Sequence, residues 1–502
     1  MTKLKTASSI LLLILFIQTI AAQQIRGKAE IAKPGKNGSQ ILQGDVRFKQ
    51  NDYIIYCDEA EFYEAENRFF ATGNVKLKRG NDFRITSKTL EYDGHKKVGK
   101  FRKNVKLEDG NIVLTTEFLD FNTNDNSGYF YNGGTIVDST NVLESRNGYY
   151  YPQSKTYFFK DSVVVTNPKY KIFSDTLKYF QPKEQVFVFG PTRIYSDSNF
   201  IYCENGWYDM KNEKAQISRN SYLINKKQKL KADSIYFEKL NGFGKAYRNV
   251  ELTDSAQNII IRGNYATYYS NPEKAMVTDS AILLQITQND TLYLHADTLR
   301  SLLDTSGRYK ILKAYKRAKI FKTDFQAACD SLEYSLKDST ITMHSQPILW
   351  AFDNQITADK IDIFTKNSKI DKVELYNTAF LVSEADTGKY NQVKGKNMTG
   401  FFRENRLYKV EVRFNSQSNY FPKDKDEISG FNKAESRDMD IYMTNNKIDR
   451  IIFLSKPEAT FFPLEGLSPE IIFLKGFEWL IEHKPRSKND IFIWNERTKN
   501  LK

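Results

Sequence analysis

A small residue recurs along this chain at nearly constant spacing, and this repeat constrains the fold more than any other feature. The interval is 29 to 33 residues ten times in succession, then 37 and 41. The recurring positions are Cys57, Ser87, Thr116, Ser145, Ser174, Cys203, Ala232, Gly263, Ala296, Cys329, Ala358, Gly395 and Ser436. In repeat proteins each copy buries its apolar face against its neighbours, so thirteen copies predict one kind of stacked array.

Each copy also carries apolar side chains at fixed offsets from the small residue. The residue two positions before it is almost always aliphatic, and the residue five positions after it is usually Tyr or Phe. Alternation with period two is typical of a half-buried strand, and the abundance of Tyr (30) and Phe (35) fits that assignment. The pattern predicts an all-β fold made of about thirteen strand-pair repeats.

The positions of these columns also predict a bend. Positions −2 and 0 share one face of an unbroken strand, whereas +3 and +5 share the other, yet both sets are apolar. We therefore expect a register shift, through a bulge or sharp bend, just after the small residue. Sequences such as Gly73-Asn74 and Arg248-Asn249, which tolerate positive φ, are interpreted as turns or bulges that feed a second strand. Each repeat then supplies two long strands, one of them bent.

The N-terminal residues have the features of a signal peptide. Lys3 and Lys5 supply positive charge, residues 10–17 form an apolar core, and Ala21 or Ala22 offers a cleavage site. We expect residues 1–22 to be removed on export to the periplasm. The apolar run is too short to span a bilayer comfortably, and no second long run follows, so no membrane anchor is expected.

The mature chain is predicted to have three parts. Residues 23–40 form a lead-in, residues 41–461 form the repeat array as one or more tandem segments, and residues 462–502 form a C-terminal capping segment. The last part is apolar around Phe477, Trp479 and Ile491. Repeat arrays need such caps because an exposed sheet edge invites pairing with another chain.

Two stretches carry a resemblance to a known family. Residues 57–62 (CDEAEF) with 71–77 (ATGNVKL), and residues 87–92 (SKTLEY) with 103–107 (KNVKL), share a small residue, an apolar residue, an aromatic residue and then a strand led by Asn. This arrangement is similar to the repeat of the OstA-like family, which includes LptA-like periplasmic lipopolysaccharide transport proteins and the N-terminal domain of LptD. The resemblance is best over residues 41–140 and recurs more loosely through the array.

The resemblance implies an elongated, twisted, V-shaped β-jelly roll whose splayed sheets leave an apolar groove for the acyl chains of lipid A. It implies a periplasmic lipid-binding protein that carries or bridges lipopolysaccharide in outer-membrane biogenesis, pairs with other envelope transport proteins through edge strands, and is not an enzyme. The repeat columns supply candidate groove residues, which are Ile55, Phe62, Ile85, Tyr92, Leu114, Phe121, Ile172, Tyr179, Ile201, Leu230, Phe237 and Ile261.

Charge and reactive side chains favour binding over catalysis. The net charge of +13, or +11 without Lys3 and Lys5, is well mixed and forms no stripe of the kind that nucleic acids need. All three cysteines lie in the small column, in distant copies, so we expect buried thiols rather than a disulfide. The four histidines show no metal spacing and no nucleophile motif, so neither a cofactor nor a metal is expected.

An acidic residue follows the small residue in eight of the thirteen copies. These acids could bind calcium, but Lys88, Arg146, Lys396 and Arg437 occupy the same position elsewhere and would be poor ligands. We favour carboxylates that accept hydrogen bonds from backbone amides at the bend.

Two other functions remain open from sequence alone. One is a carbohydrate-binding or carbohydrate-active parallel β-helix, in which acids on neighbouring rungs act on glycans. The other is a structural envelope scaffold that shares the fold but binds no lipid. The aromatic column and the strand-turn-strand pattern favour the lipid-binding protein over the β-helix.

Overall fold

The computed structural model describes residues 24–495, apart from residues 152, 197–198, 288–289, 308–309, 352, 367–368, 405, 425–426 and 445–446. The predicted signal peptide lies outside the described residues. The chain divides into an N-terminal unit, Met1–Lys226, and a C-terminal unit, Lys227–Lys502. No helix in the described part is both long and apolar enough to cross a membrane.

Antiparallel strands form almost all of the N-terminal unit. Their bounds are β1 Arg26–Lys28, β2 Ile31–Pro34, β3 Gln40–Gln50, β4 Tyr53–Tyr63, β5 Arg68–Arg79, β6 Phe83–Asp93, β7 Val98–Asp109, β8 Ile112–Asn122, β9 Gly128–Phe130, β10 Gly134–Val137, β11 Val142–Ser145, β12 Asn147–Tyr151, β13 Thr156–Asn167, β14 Tyr170–Phe180, β15 Gln185–Ser196, β16 Asn199–Asp209 and β17 Lys214–Asn225. Single 3₁₀ turns occupy Glu64–Glu66 and Gln181–Lys183. From β3 to β8 and from β13 to β17, each strand pairs with the next.

The C-terminal unit continues the same strand pattern. Its strands are β18 Gln228–Glu238, β19 Phe243–Asp254, β20 Ile259–Ser270, β21 Glu273–Thr278, β22 Ile282–Ile286, β23 Thr291–His295, β24 Thr298–Leu303, β25 Lys310–Phe321, β26 Phe325–Ser335, β27 Thr340–His344, β28 Ile348–Ala351, β29 Asn354–Thr357, β30 Lys360–Lys366, β31 Lys369–Tyr376, β32 Ala379–Asp386, β33 Lys389–Gly395, β34 Asn397–Arg403, β35 Arg406–Tyr420, β36 Lys423–Asp424, β37 Glu427–Ile428, β38 Phe431–Thr444, β39 Lys447–Leu454 and β40 Glu458–Phe462. One short helix, α1, spans Pro469–Ile472, and 3₁₀ turns span Ile481–His483 and Asp490–Phe492.

The C-terminal unit shows most clearly that each bent strand contributes to two ladders. Between β26 and β35 one ladder runs through β27, β30, β31 and β34, and the other runs through β28, β29, β32 and β33. All pairings among the described strands are antiparallel, which contradicts the parallel β-helix alternative. The all-β architecture of repeated strand pairs is confirmed.

The predicted bend is confirmed, and it affects both strands of a pair. Between β4 and β5, Tyr56 pairs with Lys76 and the next pair is Glu59 with Thr72, so two unpaired residues oppose three. Buried residues lie on both sides of this shift. The predicted bulge at Gly73 and Asn74, both with positive φ, is confirmed, but it lies inside β5 rather than at the start of a new strand.

The small column lies at this corner and is buried in every copy except at Gly263, which is half-buried. Where the residue carries a hydroxyl, the hydroxyl donates to the carbonyl oxygen two residues further on: Ser87 Oγ to Thr89 O (2.9 Å) and Ser174 Oγ to Thr176 O (3.0 Å). The bulge interrupts the ladder at this point, so the hydroxyl satisfies a carbonyl that would otherwise lose a partner. Small size and this hydrogen bond together explain the choice among Ser, Thr, Cys, Ala and Gly.

The cysteines behave as small core residues. Cys57, Cys203 and Cys329 are buried and none forms a disulfide. Burial raises the pKa of Cys57 to about 12 and that of Cys203 to about 11. Because the thiolate is the reactive form, we expect iodoacetamide at pH 8 to label the folded chain at least about a hundredfold more slowly than the urea-unfolded chain. Equal labelling rates in a time course followed by mass spectrometry would contradict this placement.

The bulge glycine of β5, Gly73, can be used to test whether the two strands must approach closely at the corner. Gly73 has φ +70°, and an added Cβ would lie 2.9 Å from the Asp58 Cβ, whereas Gly110 has φ +58° with open space around it. We expect G110A to cost about 1 kcal/mol for its left-handed backbone alone. We expect G73A to cost about 1–3 kcal/mol more because of the added clash, as measured by urea unfolding. Equal costs would show that the corner does not require close approach.

Candidate functional site

The inner face of the array, defined here as the face that carries columns −2, 0, +3 and +5, is closed in β3 to β8. Six of the candidate groove residues lie here and are at most 5 % exposed: Ile55, Phe62, Ile85, Tyr92, Leu114 and Phe121. Aromatic rings fill the space between the strand halves, with centroids 3.9 Å apart for Phe48 and Phe69. These candidates therefore form the packed core of the first copies.

Tyr92 shows how complete this packing is. Its hydroxyl lies 2.8 Å from Thr123 Oγ1 and donates to Gln50 Oε1. Burial raises the pKa of Tyr92 to about 12. Because internal partners satisfy the polar tip, the side chain serves the core and presents no surface to a ligand.

The packing of the inner face is less complete where β8 and β13 contact the short strands β9 to β12. The Tyr150 hydroxyl donates to the Asp109 carboxylate, and burial together with this carboxylate raises the pKa of Tyr150. A small apolar cavity lies beside these residues, lined by Leu107, Ile112, Leu114, Leu119, Gly128, Phe130, Ile136, Tyr149, Tyr150 and Tyr157. From here the ring series continues along the inner face, with Tyr157 and Tyr179 stacked at 6.0 Å.

In β14 to β17 the inner face is half open. Ile172 remains 8 % exposed, but Tyr179, Ile201 and Tyr208 are only half-buried, although they occupy the same columns as the closed residues above. The pKa of Tyr170 is raised first by burial and then by the neighbouring Tyr208, which belongs to the other half of the bent strands. Large apolar side chains thus lie close together here while keeping part of their surface accessible to solvent.

The first strands of the C-terminal unit have a similar character. Leu230, Phe237 and Ile261 are all half-buried. From Val277 onward the inner face closes again over a continuous core of buried aliphatic side chains that reaches Met443. Within each unit, therefore, the half-open strands adjoin a closed, packed part of the same array.

The acids after the small column form hydrogen bonds across the corner. Their partners lie on the opposing bulge: Asp58 with Asn74 Nδ2 (2.9 Å), Glu204 with Asn220 Nδ2 (2.9 Å), Asp233 with Asn249 Nδ2 (3.1 Å) and Glu117 with the Asn104 backbone amide (3.2 Å). Backbone amides were predicted as the donors, but most of these donors are Asn side chains. Among the described residues, no group of three or more His, Cys, Asp or Glu could hold a metal ion.

The family match covers the closed strands β3 to β8, the strands β9 to β13 and the first half of β14. Residues 26–175 match the model of the OstA-like proteins. Over these residues the chain is similar to the OstA-like proteins. The half-open strands beyond β14 and the C-terminal unit lie outside the matched residues, and a search of curated proteins finds no match for the chain.

Two solved structures show low similarity to this chain. LptH of Pseudomonas aeruginosa, described as the LptA-homologous periplasmic component of the lipopolysaccharide transport device, is 15 % identical, with 24 % of this chain and 82 % of LptH covered and a TM-score of 0.21. The extracellular domain of a candidate one-component system from B. thetaiotaomicron is 7 % identical, with coverage of 88 % and 99 % and a TM-score of 0.08. At these TM-scores neither structure supports an argument about the fold, which is instead established by the strand pairings within this chain.

Proposed function

We propose that this chain is a periplasmic lipid-binding protein that carries or bridges lipopolysaccharide toward the outer membrane. The observation that carries the proposal is the half-open inner face of β14 to β17, where Ile201, Tyr179 and Tyr208 keep apolar surface accessible. The OstA-like match over residues 26–175 supports it. The proposed role is binding without catalysis.

Acyl chains are the ligand that such a face fits best. Each buried methylene contributes about 0.8 kcal/mol, so a row of half-buried aliphatic and aromatic side chains can hold a saturated chain without polar contacts. Among the twelve candidates, we assign the acyl contacts to Tyr179 and Ile201 in the N-terminal unit and to Leu230, Phe237 and Ile261 in the C-terminal unit. Other envelope transport proteins are the proposed partners, joined through edge strands.

Purification from the native envelope followed by lipid extraction and mass spectrometry tests this proposal. We expect lipopolysaccharide, recognised by its lipid A acyl chains, to copurify with the full chain. A structural envelope scaffold would have the same fold but carry no lipid. Recovery of the folded protein without any bound lipid would therefore contradict the lipid-binding proposal and favour the scaffold.

A further inference from the structure

The segment after β40 lies on the outer face of the C-terminal unit, the face opposite the inner one. We call residues 469–494 the strap; apart from α1 and two 3₁₀ turns it has no regular structure. Beneath it, five residues lie opposite one another on neighbouring strands of the sheet and form a row: Trp350, Gln355, Val382, Gln392 and Asn419. All five are at most 1 % exposed. Three amide side chains are thus buried on a face where strand alternation predicts solvent-exposed polar groups.

Two of these amides bind the strap backbone in the same way. Gln392 Nε2 donates to the Ile472 carbonyl (2.8 Å), and Gln392 Oε1 accepts from the Leu474 amide (2.9 Å). Gln355 repeats this pattern six residues further along the strap, donating to the Glu478 carbonyl (2.8 Å) and accepting from the Leu480 amide (2.7 Å). A buried amide that both donates to and accepts from a backbone recognises polypeptide independently of its side chains.

The two strap amides that donate to the glutamines are those of Leu474 and Leu480, and both leucine side chains are buried in apolar clusters. Leu474 packs against Phe380 and Val382, and Leu480 packs in a second cluster with Ile348 and Trp350. The two leucines are 6 % and 8 % exposed. The glutamine-to-backbone hydrogen bonds and the buried leucines therefore both recur after six residues of the strap.

The strap leaves part of this face unsatisfied. Among the described residues, Trp350 Nε1 and Asn419 Oδ1 on this face are buried without a hydrogen-bond partner. A buried polar atom without a partner destabilises the folded state, and native structures contain few of them. Among the residues that the structure describes, the strap forms no strand pairing with the sheet. Side chains such as Gln355, Gln392 and Asn419 bind its backbone instead.

We propose that this row of buried amides is a polypeptide-binding site and that the strap is its exchangeable intramolecular occupant. The site takes an extended segment of a partner protein with two aliphatic anchors six residues apart, held by Gln355 and Gln392. Such a segment could also satisfy the Trp350 and Asn419 atoms that the strap leaves unpaired. The site lies on the outer face and is independent of the proposed lipid contacts.

Binding of a fluorescent peptide of residues 469–494 to the full chain tests the site. We expect the strap variant L474D/L480D to bind the peptide at least about tenfold more tightly than the wild type, because the intramolecular competitor is weakened. Adding Q355A/Q392A should remove that gain. The control I493D changes an exposed side chain of the strap and should bind as the wild type does. Equal peptide affinity of folded L474D/L480D and wild type would overturn the proposal.

Hydrogen exchange of the unmodified protein provides a second test if the strap variant fails to fold. We expect the Leu474 and Leu480 amides to exchange at least about tenfold faster than the paired amides of β29 and β33, because an exchangeable occupant opens without unfolding the sheet. Exchange of the strap at the same rate as these strands would mean that the strap is a fixed part of the core, and would overturn the proposal.

Discussion

Replacement of Phe121 by alanine is expected to lower the free energy of unfolding by about 3–5 kcal/mol. Phe121 is fully buried, and its ring centroid lies 5.3 Å from that of Phe83 and 6.2 Å from that of Tyr53. Removal of the ring leaves a cavity between strand halves that cannot close without moving several strands. Urea unfolding of the full chain, followed by circular dichroism, measures the change.

Tyr208 is the matched control because it occupies the same column, five residues after its own small residue, on the half-open part of the same unit. We expect Y208A to cost only about 1 kcal/mol, since a half-buried ring loses less surface and its site remains open to solvent. Equal costs for F121A and Y208A would contradict the division of the inner face into closed and half-open parts.

The second large effect concerns bound lipid. Ile201→Asp is expected to reduce lipid copurification by at least about tenfold, because an acyl chain that covers the carboxylate must remove it from water without a partner. The half-buried site lets the carboxylate remain hydrated when no lipid is bound, so the chain should still fold. Lipid extracted per mole of protein and the circular dichroism spectrum are the two measurements.

Phe173→Asp is the control for this substitution. Phe173 is 37 % exposed and lies on the outer face of β14, which is separated from β16 by β15. The F173D substitution introduces the same charge in the same sheet without touching the inner face, so lipid recovery should remain at the wild-type level. Equal loss in I201D and F173D would point to a general effect of charge and against an acyl site at Ile201.

Much of the fold follows from the periodicity of the chain. In an unbroken strand the apolar columns before and after Cys57 would lie on opposite faces. This predicted a register shift, and the structure has one there. Periodicity could not show that Gly73 and Asn74 lie within a strand, because positive φ is equally suitable for a turn and for a bulge. Nor could it reveal the serine-to-carbonyl hydrogen bonds, which depend on the geometry of the bulge itself.

Whether a given part of the inner face is closed or half open could not be predicted from the sequence, for a different reason. Phe121 and Tyr208 have the same position in the repeat and similar size, yet only Phe121 is closed in. Closure depends on rings from other strands, such as Phe83 and Tyr53, which pack across the space. Local alternation records which face a side chain occupies and carries no information about what lies opposite.

The strap illustrates a similar gap. The apolar residues Phe477 and Trp479 marked the C-terminal segment as one that covers a surface, and its role as a cap for the last strand edge stays a prediction. Gln355 and Gln392 gave no signal, because a polar residue in an alternating strand normally faces solvent. Only the pairing of distant strands places these two glutamines in one buried row beneath the strap.

Photo-crosslinking in the native envelope tests the central claim most directly. Benzoylphenylalanine would replace inner-face Tyr179 or Tyr208, or outer-face Tyr151 or Tyr195 as exposed controls of similar size. On illumination, adducts with lipopolysaccharide are expected at positions 179 and 208 and not at 151 and 195. Adducts of equal yield at all four positions, or at the outer-face pair alone, would contradict a lipid site on the half-open inner face.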